Sequence, residues 1–198
     1  MRRAGWITLA LAAGIGTTMV PRAGAETETF TATLLQQSDM RQSRTRSVPV
    51  TFRIESWTSP QEAARLDSVL QEGGPAALLR EFRKGRARAG YILTSAPMGE
   101  PSWRVAMATV RDTPRGRLVR LVTDRPIGFA ESRTGARSLE YPFSVFEFTV
   151  DGEGRGQGIA IPAARLAAGE GEGALAFETL PYVTGPDRLL GVRQWSND

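Results

Sequence analysis

The chain has 198 residues, 41% of them hydrophobic, with 25 basic and 21 acidic side chains, a formal net charge of +4, and neither cysteine nor histidine. A disulfide framework, a Cys–His nucleophile, a Ser-His-Asp triad and a conventional zinc site are thereby excluded. What remains is carboxylate or tyrosine chemistry, hard-cation binding, or Ser/Lys chemistry, and the last would rest on Lys84, the sole lysine, placed at a charged helix end.

Residues 1–25 read as an export signal. Arg2 and Arg3 form a basic start, residues 5–20 are uncharged and mostly apolar, and Ala23-Gly24-Ala25 supplies the small residues of a cleavage site. The apolar run is short for a membrane span, which needs roughly 20 apolar residues, and Gly14 and Gly16 interrupt it. The sequence therefore predicts a cleaved signal over 1–25 and one β-rich domain over 26–198, periplasmic or extracellular, with no transmembrane segment. Three of the 25 basic residues (Arg2, Arg3 and Arg22) fall in the signal, which has no acids, leaving 22 against 21. Net charge then gives no argument for a polyanionic partner, and nucleic acid is disfavoured.

From there the chain alternates. Residues 27–35 predict a strand with Phe30, Ala32 and Leu34 on one face, and a polar, arginine-rich connection follows over 36–46. In 47–57, Val48, Val50, Phe52 and Ile54 share one face while Thr51, Arg53 and Glu55 share the other, the period-two pattern of a half-buried strand. The period changes at Ser59-Pro60-Gln61-Glu62, where Ser59 reads as an N-cap, Pro60 as the first helical residue and Glu62 as the partner of a capping box. Gly73-Gly74 reads as a stop and Pro75 as a second start, so a two-helix insertion is expected at about 60–84. Strands are then expected at 88–95, 101–111, 116–124, 142–151, 157–166, 173–183 and 187–195, with room for a short one near 127–131. The fold class is α+β: mainly an antiparallel meander of about 8–10 strands, barrel or sandwich. Ser196-Asn197-Asp198 reads as a frayed end.

Candidate sites are few. Glu147 interrupts the apolar run 143–148 and is the one carboxylate suggestive of catalysis. It is a buried charge if its face is inward and an ordinary outward residue if Phe146, Phe148 and Val150 point in. Asp124 and Arg125 mark a corner that would either cap a turn or hold a ligand. Trp57, Trp103 and Trp195 fall at strand ends, where they would plug the core or ring the mouth of a barrel around an apolar ligand. Glycine at every second position from Gly152 to Gly158 fails both the EF-hand and the dinucleotide spacing and reads as a hairpin turn. Arg41, Arg44 and Arg46 form one basic cluster, and Arg80, Arg83, Lys84, Arg86 and Arg88 another; together they could bind anionic lipid, lipopolysaccharide or an acidic polymer, while solvation and the helix C-terminus account for both without a ligand. No metal site and no cofactor is implied. No motif places the chain in a named family: the Gly-x-Trp that a lipocalin carries near its first strand is missing, the nearest tryptophan reading Glu55-Ser56-Trp57.

Three functions fit these residues. The first is a non-catalytic exported binding or interaction protein of the bacterial cell envelope, with a small apolar ligand inside a closed barrel or an envelope protein as partner. The second is a carboxylate-dependent hydrolase acting on cell-wall or extracellular polysaccharide, which needs two carboxylates flanking a cleft. The third is a structural subunit associating through its sheet edges.

Overall fold

The computed structural model describes residues 27–36, 46–84, 88–94, 102–127, 140–168, 175–179 and 186–195. The expected signal, the short strand near 127–131, the end 196–198, and Arg41, Arg44 and Arg86 of the basic clusters lie wholly or largely outside them.

Nine strands and one helical element follow in the order β1 (Glu28–Gln36), β2 (Arg46–Ile54), α1 (Pro60–Lys84), β3 (Gly90–Thr94), β4 (Ser102–Thr113), β5 (Gly116–Thr123), β6 (Phe143–Val150), β7 (Arg155–Ala168), β8 (Leu175–Thr179) and β9 (Asp187–Trp195). Each strand pairs antiparallel with its neighbours in the order β6-β5-β4-β3-β2-β1-β9-β7-β8, and β6 also pairs with β7. That last pairing closes eight strands into a barrel, which decides between the barrel and the sandwich. The 14-residue β7 pairs with β9 along its first half and with β8 along its second, so β8 and β9 lie end to end along one edge of β7. No helix among the described residues is long and apolar enough to cross a membrane.

The interior is built from the period-two stripes. Phe30, Ala32 and Leu34 from β1, Val50, Phe52 and Ile54 from β2, Val119 and Leu121 from β5, and Phe146, Phe148 and Val150 from β6 form one buried cluster. Phe52 touches Phe146 and Phe148 with ring centroids 5.3 and 5.2 Å apart, and Phe30 meets Phe148 edge-on at 5.2 Å. β2 and β6 stand four strands apart around the barrel, so these rings span its full width. Room for them comes from β7, whose inward positions opposite β6 are Gly156, Gly158 and Ala160. At Gly158 a Cβ would lie 2.1 Å from the Glu147 carbonyl oxygen and 2.5 Å from the Phe148 Cβ. The glycine run is therefore only partly a turn. The hairpin turn occupies 151–154, and Gly156 and Gly158 belong to the strand.

A second apolar layer lies outside the barrel. Leu66, Leu70, Leu78 and Phe82 of α1 cover Ala106 and Met107 of β4, Val122 of β5, Phe143 and Val145 of β6, and Ile161, Ala164 and Leu166 of β7. Phe82 packs edge-on against Phe143 at 5.8 Å. β4 to β7 are thus apolar on both faces for part of their length because one face meets the interior and the other meets α1.

The two-helix insertion expected at about 60–84 is a single helical element, α1, whose two helical arms meet at a kink at Gly74 with no loop between them. Ser59 caps it as foreseen, its Oγ accepting from the Glu62 N–H at 3.2 Å. Gly73 continues the helix, and Gly74 alone leaves it, at φ 67° and ψ −172°, a left-handed φ that glycine adopts without a Cβ penalty. That single residue folds the element back on itself: Arg65 NH1 reaches Glu81 Oε2 at 3.3 Å, whereas 16 residues of straight helix would separate them by about 24 Å.

Candidate functional site

One recess lined by described residues lies beside the barrel. After Ile54 the chain does not run straight into α1. Residues 55–58 extend along the start of β3 and then along β4: the Glu55 and Ser56 N–H groups donate to the Ala89 carbonyl at 2.8 and 3.1 Å, and the Thr58 N–H donates to the Ala108 carbonyl at 2.7 Å. The Ala108 N–H returns a bond to Thr58 Oγ1 at 3.1 Å. This strap, the two arms of α1 and the Arg88–Ala89 corner enclose a groove of about 380 Å3, within the size range of small-ligand pockets. Leu66, Phe82, Ala89, Ala106 and Trp57 supply its apolar surfaces, and Ser56, Thr58 and Ser59 its hydroxyls.

The rim carries linked charges. Arg65 holds Glu62 with two bonds of 2.8 Å and reaches across to Glu81, and Lys84 Nζ lies 3.3 Å from the other Glu81 oxygen. The hydrogen bond from Arg65 lowers the Glu62 pKa below the usual carboxylate value. Lys84, then Arg65, lowers that of Glu81. Bonding to Glu62 in turn raises the Arg65 pKa. Both acids therefore stay ionised through the neutral range as anchors for cations. The groove offers hydrogen bonds, charge and an apolar floor, which suits binding.

A polar cluster closes the barrel at the end where β1 begins. Glu28, Arg117 and Gln194 are in phase with the inward residues Phe30, Val119 and Val192, so all three point toward the axis. The Glu28 carboxylate accepts from Arg117 NH1 and NH2 at 3.0 and 3.1 Å, from Gln194 Nε2 at 2.9 Å and from Trp57 Nε1 at 2.9 Å. The Arg117 guanidinium lies 5.9 Å from the Trp57 ring centroid. Trp57 thus belongs both to this plug and to the groove wall.

The residues singled out from sequence do not converge. Trp103 is 8% exposed and packs in the interior cluster toward the opposite end, so Trp57 and Trp103 do not share a mouth. Asp124 accepts from Arg104 NH2, which also donates to the Phe82 carbonyl at 2.7 Å and so ties the last turn of α1 to the barrel. Arg125 NH2 donates to the Ser102 carbonyl at 2.9 Å, and its own carbonyl accepts from Thr123 Oγ1 at 2.6 Å. Ser144 Oγ donates to the Pro162 carbonyl at 2.6 Å and accepts from the Ile127 N–H at 2.9 Å, fixing the Asp124–Arg125 corner over the barrel end. Glu147 faces outward, opposite Arg120, whose NH2 lies 2.6 Å from Glu147 Oε2. Trp195 is 64% exposed at the end of β9. Asp151 Oδ1 accepts from the Glu153 and Arg155 N–H groups at 2.9 Å each, a bonding pattern that lowers its pKa and closes the turn. Of the second basic cluster, Lys84 and Arg88 line the groove.

Sequence reasoning missed both the plug and the groove. The plug carried a signal: Glu28 and Arg117 are charged residues in step with apolar stripes at strand ends. The groove had none, because its walls come from stretches that only the fold brings together.

Comparison with protein-family models, with curated proteins and with solved structures yields no match to this chain.

Proposed function

We propose that the chain is an exported, non-catalytic binding protein of the bacterial cell envelope and that its ligand site is the groove between α1 and the barrel. The sequence pattern of residues 1–25 supports export. The observation that carries the binding site is the contact of Phe52 with Phe146 and Phe148 across the full width of the barrel. Rings that meet across the axis leave no chamber for an apolar ligand at that level, which supports a ligand position outside the barrel. The groove, with its apolar floor and charged rim, suits a small amphipathic molecule.

Barrel closure also weakens the reading of a subunit that associates through sheet edges. Every barrel strand has two neighbours, and among the described strands only β8 keeps an unpaired side. The reading of a carboxylate-dependent hydrolase finds its candidate, Glu147, bound to Arg120 on the outer wall.

Native mass spectrometry of protein purified from its own periplasm tests the proposal. The expected result is a co-purifying small molecule that is lost from Ser56→Trp, a substitution at an exposed rim position that fills the groove without entering the core. A bound molecule retained in Ser56→Trp would overturn the groove assignment, and ligand-free protein from the native source would overturn the binding function.

A further inference from the structure

The outer wall away from α1 has a composition that neither the plug nor the groove explains. Four adjacent strands, β2, β1, β9 and the first half of β7, present it. Their alternation puts Ser47, Pro49, Thr51 and Arg53 outward on β2, Thr29, Thr31, Thr33 and Leu35 on β1, Arg188, Leu190, Arg193 and Trp195 on β9, and Arg155 and Gln157 on β7. Every outward charge on this wall is an arginine: Glu28 turns inward to the plug and Asp187 is buried. Arg53 pairs with Glu55, and Arg155 pairs with Asp151 and Glu153 of the adjoining turn. Arg188 and Arg193 are exposed, and neither forms an ion pair with a described residue.

Arg193 also stands directly opposite Arg155 in the β7–β9 ladder. Like charges in facing positions repel, and the acids of the turn are already engaged with Arg155. An anion from outside the chain would satisfy Arg193. Beside it, Trp195 pairs in register with Thr29, and Thr31 with Arg193. The β1 threonines place a hydroxyl about every 6.7 Å along the wall.

We propose that this wall docks a carboxylate-bearing polysaccharide, with Trp195 stacked on a sugar ring, Arg188 and Arg193 paired with carboxylates, and the β1 threonines bonded to sugar hydroxyls. A guanidinium fork matches a carboxylate in two parallel bonds. A flat row of hydroxyls matches a polyhydroxylated chain. An anionic bilayer fits less well, because insertion needs a contiguous apolar area, and Trp195 is the sole exposed large hydrophobic among the described residues. The wall shares no residue with the groove, so the two assignments stand or fall separately.

Native electrophoresis of the purified chain in gels containing polygalacturonate or neutral dextran is the test. Polygalacturonate is expected to retard the protein, less so as salt rises, and dextran to leave its mobility unchanged. Trp195→Ala and the double variant Arg188→Ser/Arg193→Ser are each expected to weaken retardation about tenfold, the loss of a charge-assisted or stacking contact. Because these residues are exposed, both variants should keep the wild-type unfolding midpoint. Equal mobility in the two gels, or variants retarded as strongly as wild type, would overturn the proposal. So would co-sedimentation with phosphatidylglycerol vesicles without retardation by polygalacturonate.

Discussion

At the scale of single residues, Glu28 shows how a charge can sit in phase with a hydrophobic stripe. It precedes Phe30, Ala32 and Leu34 at the same parity, so the alternation that buries them also turns its carboxylate toward the axis. What makes this tolerable is position and partners: at the barrel end water still reaches it, and Arg117, Gln194 and Trp57 supply four donors. Glu28→Gln keeps the shape but turns an amide N–H₂ toward donors. The expected loss is about 1–2 kcal/mol in urea unfolding, reduced from the value for a buried charged bond because both groups are partly solvated. A double-mutant cycle with Arg117→Met should return a coupling above about 0.5 kcal/mol; strictly additive effects would mean that the pair is incidental. The same parity argument was available for Glu147, and there the sequence left two faces open. Phe146, Phe148 and Val150 take the interior, which sends Glu147 outward to Arg120.

At the scale of elements, the strands were legible because each carries its own alternation and its own turn residues, and the nine described strands fall within the expected segments to within a few residues. Two features were not legible, for different reasons. Gly73-Gly74-Pro75 reads locally as a stop and a start, but only tertiary packing of Leu66, Leu70, Leu78 and Phe82 on one wall decides that a single left-handed residue suffices to turn the chain. The run Gly156-Gln157-Gly158 straddles the expected hairpin turn and the strand expected from 157, because glycine in a strand lacks a side chain to pack. Its meaning lies in the facing strand, where Phe148 stands opposite Gly158. Gly158→Ala should therefore behave as overpacking in a strand that alanine would otherwise favour. With a Cβ 2.1 Å from the Glu147 carbonyl oxygen, β6 and β7 must separate, at a cost of about 1–3 kcal/mol. The measurement is the unfolding midpoint, with hydrogen exchange at the β6–β7 ladder; a variant as stable as wild type would show that the ladder has slack.

At the scale of the whole molecule, barrel and sandwich could not be told apart from strand count or alternation, since both give eight or nine half-buried strands. The distinction lies in side-chain size around the ring. Bulky Phe30 and Phe52 on one side meet Phe146 and Phe148 on the other, and the small inward residues of β7 take up the difference. Closure and filling are then one event, because β6 and β9 can both pair with β7 only if the large rings have somewhere to go. Phe52 is the centre of that arrangement, fully buried and in contact with two rings of the opposite strand. A barrel built to hold an apolar ligand at this level would lose little when such a ring is cut back, and would take up more ligand. A barrel stabilised by its own rings should instead lose about 3–5 kcal/mol in Phe52→Ala, from lost transfer energy and the cavity left behind. Calorimetry of Phe52→Ala with and without benzene separates the two. Destabilisation partly reversed by benzene, with no effect of benzene on the wild type, is the expected outcome, since an engineered apolar cavity stays dry and accepts such a probe. Wild-type protein stabilised by benzene to the same extent would restore the interior as a ligand chamber and return the binding site from the groove to the barrel.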